Sequence, residues 1–304
     1  MTDHFKSGFV SLVGRPNAGK STLLNALVGQ KVAIVADKPQ TTRTAIQGVL
    51  TLAGAQIVFV DTPGIHRADS QLNKRLMDTV RNSLEERDLI LLLVDVTEPY
   101  GVQDQRAADM VLKTGTPVVL VLNKVDLLKD KALMLPLIEQ YKSGHEFAAY
   151  VPVSALRRKG LAELRKVILD RLPEGPAYFP EDYVTDQPER FLAAELIREK
   201  VLAATRQEVP HSVAVTVDQW EETTRLTRIF ATIRVERPGQ KGIVIGAKGA
   251  MLKNIGTLAR HEMERLFGVK VYLDLHVRVQ PGWREQAAFL NALDWRTMTG
   301  KDDS

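Results

Sequence analysis

The chain contains no cysteine, which excludes a disulfide framework and a thiolate metal centre and fits a reducing compartment. Its six histidines, His4, His66, His145, His211, His261 and His276, lack metal-ligand spacing, so a histidine-ligated metalloenzyme is not expected. Long apolar runs are missing too. The longest uncharged stretch, Thr44 to Val60, carries Gln47, Gly48, Thr51, Gly54 and Gln56, too polar to span a bilayer. The opening residues MTDHFKSGFVSL show no basic region followed by an apolar core, so no secretory signal is read. Charge of one sign is also scarce: 41 bases face 37 acids, a net +4. What is present is ordinary for a soluble globular chain, with 44% hydrophobic and 26% charged residues over 304 positions, enough for about two domains.

The distribution of charge says more than its total. Residues 181–190 hold Glu181, Asp182, Asp186 and Glu189 against Arg190 alone, whereas Arg225 to Lys270 holds ten bases against Glu236, Glu262 and Glu264. That second segment is an electropositive candidate surface. Over residues 1–172, the short apolar runs GFVSLVG, IVFVDTPG, LILLLVDV, VVLVLNKVD and YVPVSAL alternate with helix-length segments. Consecutive apolar positions mark strands buried on both faces, so the expected class is α/β, a mostly parallel sheet flanked by helices. In such sheets ligands bind at the carboxyl ends of the strands, and every motif below falls there. Residues 173–188, PEGPAYFPEDYVTDQP, contain four prolines and no apolar periodicity and read as a semi-rigid connector. From 189 to 304 the pattern becomes an amphipathic helix, RFLAAELIREKVLAAT, two strands around an EET turn, further helix and a third alternating strand, a smaller α+β domain.

The stretch Gly14-Arg15-Pro16-Asn17-Ala18-Gly19-Lys20-Ser21-Thr22 fits the phosphate-loop pattern between a strand and a helix. Backbone N–H groups cradle phosphates, Lys20 neutralises the terminal ones, and Ser21 offers an oxygen to Mg²⁺. Such a loop serves ATPases, kinases and GTPases alike, and the base-reading element decides between them. Asn123-Lys124-Val125-Asp126 places a carboxylate where guanine presents its N1–H and 2-amino donors, while adenine presents an acceptor there. Lys124 can lay its stem on the base, Asn123 can tie this loop to the phosphate loop, and Ser154-Ala155 suits a backbone N–H contact to guanine O6. Asp61-Thr62-Pro63-Gly64 closes the IVFV run: Asp61 can hold Mg²⁺ through water, and the Gly64 N–H can sense the γ-phosphate. In Gln40-Thr41-Thr42-Arg43-Thr44, Thr42 is the expected switch hydroxyl on Mg²⁺, with Thr41 as its competitor.

In this order the segments GRPNAGKST, QTTRT, DTPG, NKVD and SAL resemble the five motifs of the Era/EngA/TrmE group of translation-factor-class GTPases. The resemblance implies slow intrinsic GTP hydrolysis, because Ile65 stands where related GTPases carry a water-orienting glutamine. It also implies that Asn17 ligates K⁺ beside the phosphates, against the alternative of an asparagine that braces the loop. In the second domain, GxxG occurs twice, at Gly239–Gly242 and Gly246–Gly249. Only the second copy, Gly246-Ala247-Lys248-Gly249, follows Ile243 and Ile245 and precedes a helix-like run with Lys253. That segment resembles a type II KH domain, which implies a short helix before the loop and single-stranded RNA held by Lys241, Ile243, Ile245, the loop and Lys253. GTPase, proline-rich connector and KH domain together are similar to the Era family, implying a cytoplasmic monomer that uses GTP and GDP, binds small-subunit (16S) ribosomal RNA near its 3′ end and acts in 30S subunit assembly. Peripheral association with the inner membrane is a further expectation, and DNA is not an expected partner. The rival reading gives the C-terminal domain a protein or lipid partner in place of RNA.

Overall fold

The computed structural model describes residues 5–38, 40–65, 70–206 and 209–297. They fall into two compact units. The first comprises Met1–Ala33, Thr42–Arg67 and Lys74–Asp186, the second Ile34–Thr41, Ala68–Asn73 and Gln187–Ser304. Among the described residues no helix is long and apolar enough to cross a membrane.

In the first unit the apolar runs become β1 (Lys6–Gly14), β2 (Ile46–Leu52), β3 (Ala55–Asp61), β4 (Leu89–Asp95), β5 (Val118–Asn123) and β6 (Ala149–Pro152). They form one sheet in the order β2-β3-β1-β4-β5-β6. All neighbours are parallel except β2, which runs antiparallel to β3 at the edge. Every residue of β3 and β5 is buried, because helices cover both faces: α1 (Lys20–Val28), α2 (Gln71–Asn82), α3 (Val102–Leu112), α4 (Met134–Lys142) and α5 (Leu161–Leu169). Each buried Leu, Ile or Val contributes about 1.5–3 kcal/mol of transfer free energy, which accounts for continuous rather than alternating hydrophobicity. The order reverses on either side of β1, and that switch point opens the crevice into which β1, β3, β4 and β5 deliver Gly14, Asp61, Asp95 and Asn123.

The proline-rich stretch is laid along this first sheet. The Ser7 N–H donates to the Pro173 carbonyl at 3.1 Å and the Val49 N–H to the Val184 carbonyl at 2.7 Å. The buried Gln56 side chain accepts from the Tyr178 and Phe179 N–H groups at 2.8 and 2.9 Å. Prolines lack the N–H but keep the carbonyl, so Pro173 can accept while the N–H groups donated from the stretch to Gln56 are those of Tyr178 and Phe179.

The second unit contains α6 (Glu189–Ala204), β7 (Ala214–Glu222), β8 (Leu226–Val235), α7 (Pro238–Ile245), α8 (Ala250–Phe267), β9 (Lys270–Val279) and α9 (Ala287–Ala292). β7 and β8 pair antiparallel across a short turn, whereas β8 and β9 are parallel, a pairing that needs the crossover supplied by α7 and α8. Leu196, Ile197 and Val201 of α6 join Ile255, Ala259 and Met263 of α8 over Ile229, Ala231 and Ile233 of β8 in one core. A simple amphipathic α6 was expected, yet Arg198 and Glu199 are buried as well. The reason is the Ile34–Thr41 segment, which packs on this helix as part of the same unit. Ile34 enters the core, Glu199 accepts from the Val35 N–H at 2.8 Å, and the Arg198 guanidinium donates to the carbonyls of Gln40 and Thr41. Beside these backbone partners, Arg198 pairs with Glu195 and Glu199 with Lys200 at 2.5 and 2.6 Å, and together they offset the burial of two charges. The next residue, Thr42, belongs to the first unit.

Candidate functional site

The loop after β1 turns directly into α1, so its residues sit at a helix N-terminus where anions are favoured. Asn17 adopts a left-handed backbone at φ 63° and is exposed; its side chain makes no hydrogen bond among the described residues. Ala18 is buried and its carbonyl accepts from Asn123 Nδ2 at 2.8 Å. Lys20 folds back beneath the loop, donating to the Gly14 and Arg15 carbonyls at 3.0 and 2.9 Å. Burial pulls its ammonium down to about 8, with the Asp61 charge opposing. It is a cation held in reserve beneath the loop, where a phosphate would compensate it.

Across the crevice, Asp61 is pushed up to about 6 by burial, against the opposing pull of Lys20, Ser21, Thr42 and the Thr62 N–H. Its Oδ2 accepts from Ser21 Oγ at 2.6 Å and from Thr42 Oγ1 at 3.3 Å, and those two hydroxyls lie 2.9 Å apart. Its Oδ1 is buried and has no hydrogen-bond partner among the described residues. Two hydroxyls and one carboxylate, with one of its oxygens still to be satisfied, form a hard-oxygen set that fits Mg²⁺, which takes one or two carboxylates and completes its shell with water and phosphate. Thr41 is elsewhere, its hydroxyl donating to the Ala36 and Lys38 carbonyls at 3.1 and 2.6 Å. Thr22 lies one position further into α1 and is half-buried. Gly64 passes so close to the phosphate loop that a Cβ there would stand 2.9 Å from backbone atoms of Pro16, while Ile65 is buried in the apolar core.

The base-reading loop closes the site. Besides its bond to Ala18, Asn123 accepts the Ala155 N–H on Oδ1 at 3.0 Å, so three loops meet on one amide. Ser154-Ala155 was expected to offer a backbone N–H to guanine O6; here the Ala155 N–H is donated to Asn123 and the Ser154 N–H to the Lys159 carbonyl at 3.0 Å. Ser154 is buried and its hydroxyl accepts the Arg157 N–H at 3.1 Å. Lys124 holds a left-handed backbone at φ 67°, and its ammonium lies 2.6 Å from Asp95. The Asp126 carboxylate stands 4.0 Å from Arg157 Nε.

In the second unit the two GxxG copies separate by conformation. Gly239 to Gly242 lies inside α7, whereas Gly246 to Gly249 is the turn between α7 and α8. Gly246 has φ 73°, and a Cβ there would stand 2.6 Å from that of Met251. Lys248 is exposed at φ 50°, and the short helix implied before the loop is α7. Beside the loop opens a groove of about 370 Å³ lined by Gly249, Leu252, Lys253, Gly256, Thr257, Arg260, Leu273 and Leu275. Of the residues proposed for RNA, Gly249 and Lys253 line it. Ala247 and Lys248 lie in the turn that precedes Gly249, while Lys241, Ile243 and Ile245 lie on α7, with Ile243 52% exposed. Leu252, Gly256, Thr257, Arg260, Leu273 and Leu275 were not foreseen. The three-, four- and seven-residue spacing of 249, 252, 253, 256 and 260 marks one face of a helix and was the available signal.

Residues 9–124 match the family described as 50S ribosome-binding GTPase, and residues 208–284 match the KH domain. The GTPase Era of Geobacter metallireducens is 50% identical over 298 residues, covering 97% of this chain and all of that one. The chain belongs to the Era family of GTPases. Two solved Era structures match it along nearly the whole chain. One, an Aquifex aeolicus Era variant bound to GDP·AlF4⁻, is 41% identical with a TM-score of 0.92 over 96% of this chain and 99% of that one. The other, Era in complex with MgGDPNP and nucleotides 1506–1542 of 16S ribosomal RNA, is 42% identical with a TM-score of 0.93 over the same shares. The Era architecture therefore accounts for both the P-loop GTPase sheet and the α+β KH unit.

Proposed function

We propose that this chain is a GTP-hydrolysing switch of 30S subunit assembly whose KH groove binds 16S ribosomal RNA near its 3′ end, and that it acts in the cytoplasm. The observation that carries the reading is the coexistence, in one Era-family chain, of a cation-ready phosphate crevice at Lys20, Ser21, Thr42 and Asp61 with a GxxG turn opening on an apolar, basic-edged groove. The solved relative that holds both MgGDPNP and a 16S fragment supports both halves.

Mg²⁺ bound through Ser21, Thr42 and Asp61 would supply positive charge to the β- and γ-phosphate oxygens. Lys20 gives up its two carbonyl partners for the terminal phosphates and thereby recovers the cost of its burial. The loop amides from Gly14 to Thr22 hold the phosphate chain, Asp126 reads the guanine donors with Asn123, Lys124 and Ala155 shaping its surroundings, and the Gly64 N–H donates to the γ-phosphate. With Ile65 buried, no side chain at that position orients water, so intrinsic turnover is slow and rests on preorganised charge. Asn17, whose side chain makes no hydrogen bond among the described residues, would be the ligand for K⁺ when GTP is bound; equal GTPase rates in matched KCl and NaCl would count against that role. We assign residues 1–172 to GTP binding and hydrolysis, 173–188 to the connector and 189–304 to RNA. Lys248, Ala247 and Gly249 approach the RNA backbone, and Lys241 and Lys253 neutralise it. Ile243 and Ile245 add apolar contact.

The test is binding of a 16S 3′-terminal RNA and a scrambled RNA to the full chain and to its Lys248→Asp variant. The wild type should prefer the 16S RNA and the variant should lose at least about tenfold in affinity, with GTP binding intact. Retained binding by the variant, or capture of a protein or lipid vesicle in place of RNA, refutes the assignment.

A further inference from the structure

Base recognition as described uses Lys124 but leaves out the carboxylate that holds it. Asp95 closes β4 as Asn123 closes β5, and the two are register partners. The Val96 N–H donates to the Asn123 carbonyl at 3.1 Å, so the two strand ends are pinned together. Asp95 Oδ1 accepts from the N–H and hydroxyl of Thr97 at 3.0 and 2.6 Å, which fixes its rotamer. Its other oxygen, Oδ2, lies 2.6 Å from Lys124 Nζ, and the two side chains are 14% and 31% exposed. Lys124 is thus constrained at both ends, by a left-handed backbone at φ 67° and by an ion pair at its tip. Among the described residues neither side chain hydrogen-bonds or ion-pairs with Lys20, Ser21, Thr42 or Asp61.

A lysine stem is an adaptable apolar strip only while its charged head has somewhere to be. Left alone, a half-exposed ammonium samples many rotamers, and ordering them opposes nucleotide binding. We propose that Asp95 is a positioning residue for guanine: it holds Lys124 extended, so that the methylene stem forms a preformed surface for the base and slows nucleotide release. The proposal rests on the reading that residues 123–126 are the base-reading loop. Burial pushes the Asp95 carboxyl up, but hydrogen bonds from Lys124 and Thr97 outweigh it and hold the group below the usual carboxylate range, so the carboxylate stays ionised at neutral pH.

The experiment is a double-mutant cycle on the full chain with Mg²⁺, reading dissociation of a fluorescent GDP. Asp95→Asn should speed release about tenfold, the lower end for losing a partly exposed charge-assisted hydrogen bond. Lys124→Ala should do the same, and the double variant should exceed Lys124→Ala by less than about twofold, because coupled residues are not additive. KM for GTP should rise in Asp95→Asn while kcat stays within about twofold, and Asp95→Glu should recover part of the slow release. If Asp95→Asn speeds release equally in the Lys124→Ala background, Asp95 merely closes the β4 turn and the proposal is overturned; unchanged release in Asp95→Asn overturns it as well. Asp126→Asn separates the two readings. Its base preference should move from guanine toward xanthine, whose 2-carbonyl suits an amide donor, and a persistent guanine preference would sink the base-loop reading itself.

Discussion

Asp61 is costly in the free protein, and Asp61→Asn measures the cost. Moving a fully buried carboxylate from 3.8 to about 6 corresponds to about 3 kcal/mol against its ionised form. The sign follows from linkage: the folded protein holds this proton more tightly than the unfolded chain, so stability is lost as pH climbs from 3.8 through about 6. At pH 7.5 the full penalty is present, and the amide removes it. Part of the gain is returned, because Asp61 also offsets the burial of Lys20 and because the amide N–H₂ would occupy the place of the orphaned Oδ1. A net stabilisation of about 1–2 kcal/mol remains, a Tm rise of about 3–6 °C for a unit of this size. Thermal unfolding in EDTA without nucleotide, at pH 7.5 and below pH 4, is the assay. The gain should be present at the higher pH and vanish at the lower. With Mg²⁺ and a GTP analogue the ranking should reverse, since ligand binding stabilises only the chain that can complete the site. A lower Tm for the free variant at pH 7.5 would refute the reasoning that Asp61 is kept destabilised for a cation.

Lys20 gives a second pH dependence of opposite sense: its ammonium sits at about 8 in the free fold. Free-protein stability should therefore rise between pH 8 and about 10.5 while GTP affinity falls, by at most about tenfold per pH unit, as titration with a fluorescent GTP analogue would show. Gly64→Ala places a Cβ 2.9 Å from Pro16 backbone atoms; GDP should still bind, while single-turnover GTP hydrolysis should slow at least about tenfold through the lost γ-phosphate contact. Gly246→Ala meets the Met251 Cβ at 2.6 Å with φ 73°. Hydrogen exchange in α8 should report about 1–3 kcal/mol of local destabilisation, and RNA binding should weaken with it.

The phosphate loop, DTPG and NKVD were legible because their chemistry is local, with spacing alone carrying the glycines, Lys20 and Asp126 to strand ends. Of the two candidate hydroxyls, Thr42 lies beside Ser21 and Asp61, whereas Thr41 bonds the Ala36 and Lys38 carbonyls. What stayed hidden depends on residues far apart in sequence. The Asp95 and Lys124 pair exists only because β4 and β5 are adjacent in register. The doubly covered α6 looked amphipathic because, although Glu195 and Lys200 lie within RFLAAELIREKVLAAT and pair with Arg198 and Glu199, no pattern there reveals that the backbone of Val35, Gln40 and Thr41 bonds them too. GIVIG would read as a strand by its β-branched residues; Pro238 at the first helical turn and the turn at Gly246 make it the end of α7. The groove floor combines α8 with Leu273 and Leu275 of β9, a pairing that only the crossover creates.

Affinity of the full chain for a 16S 3′-terminal RNA, compared between GDP and a non-hydrolysable GTP analogue in Mg²⁺ and KCl, bears most directly on the switch. A ligand shifts a conformational equilibrium only by its differential affinity for the two states, and the contacts of Thr42 and Gly64 with a γ-phosphate are what would differ. RNA binding should be tighter with the GTP analogue, by at least about fivefold, and that difference should be lost in Thr42→Ala. Equal affinity in both nucleotide states would leave two independent modules on one chain.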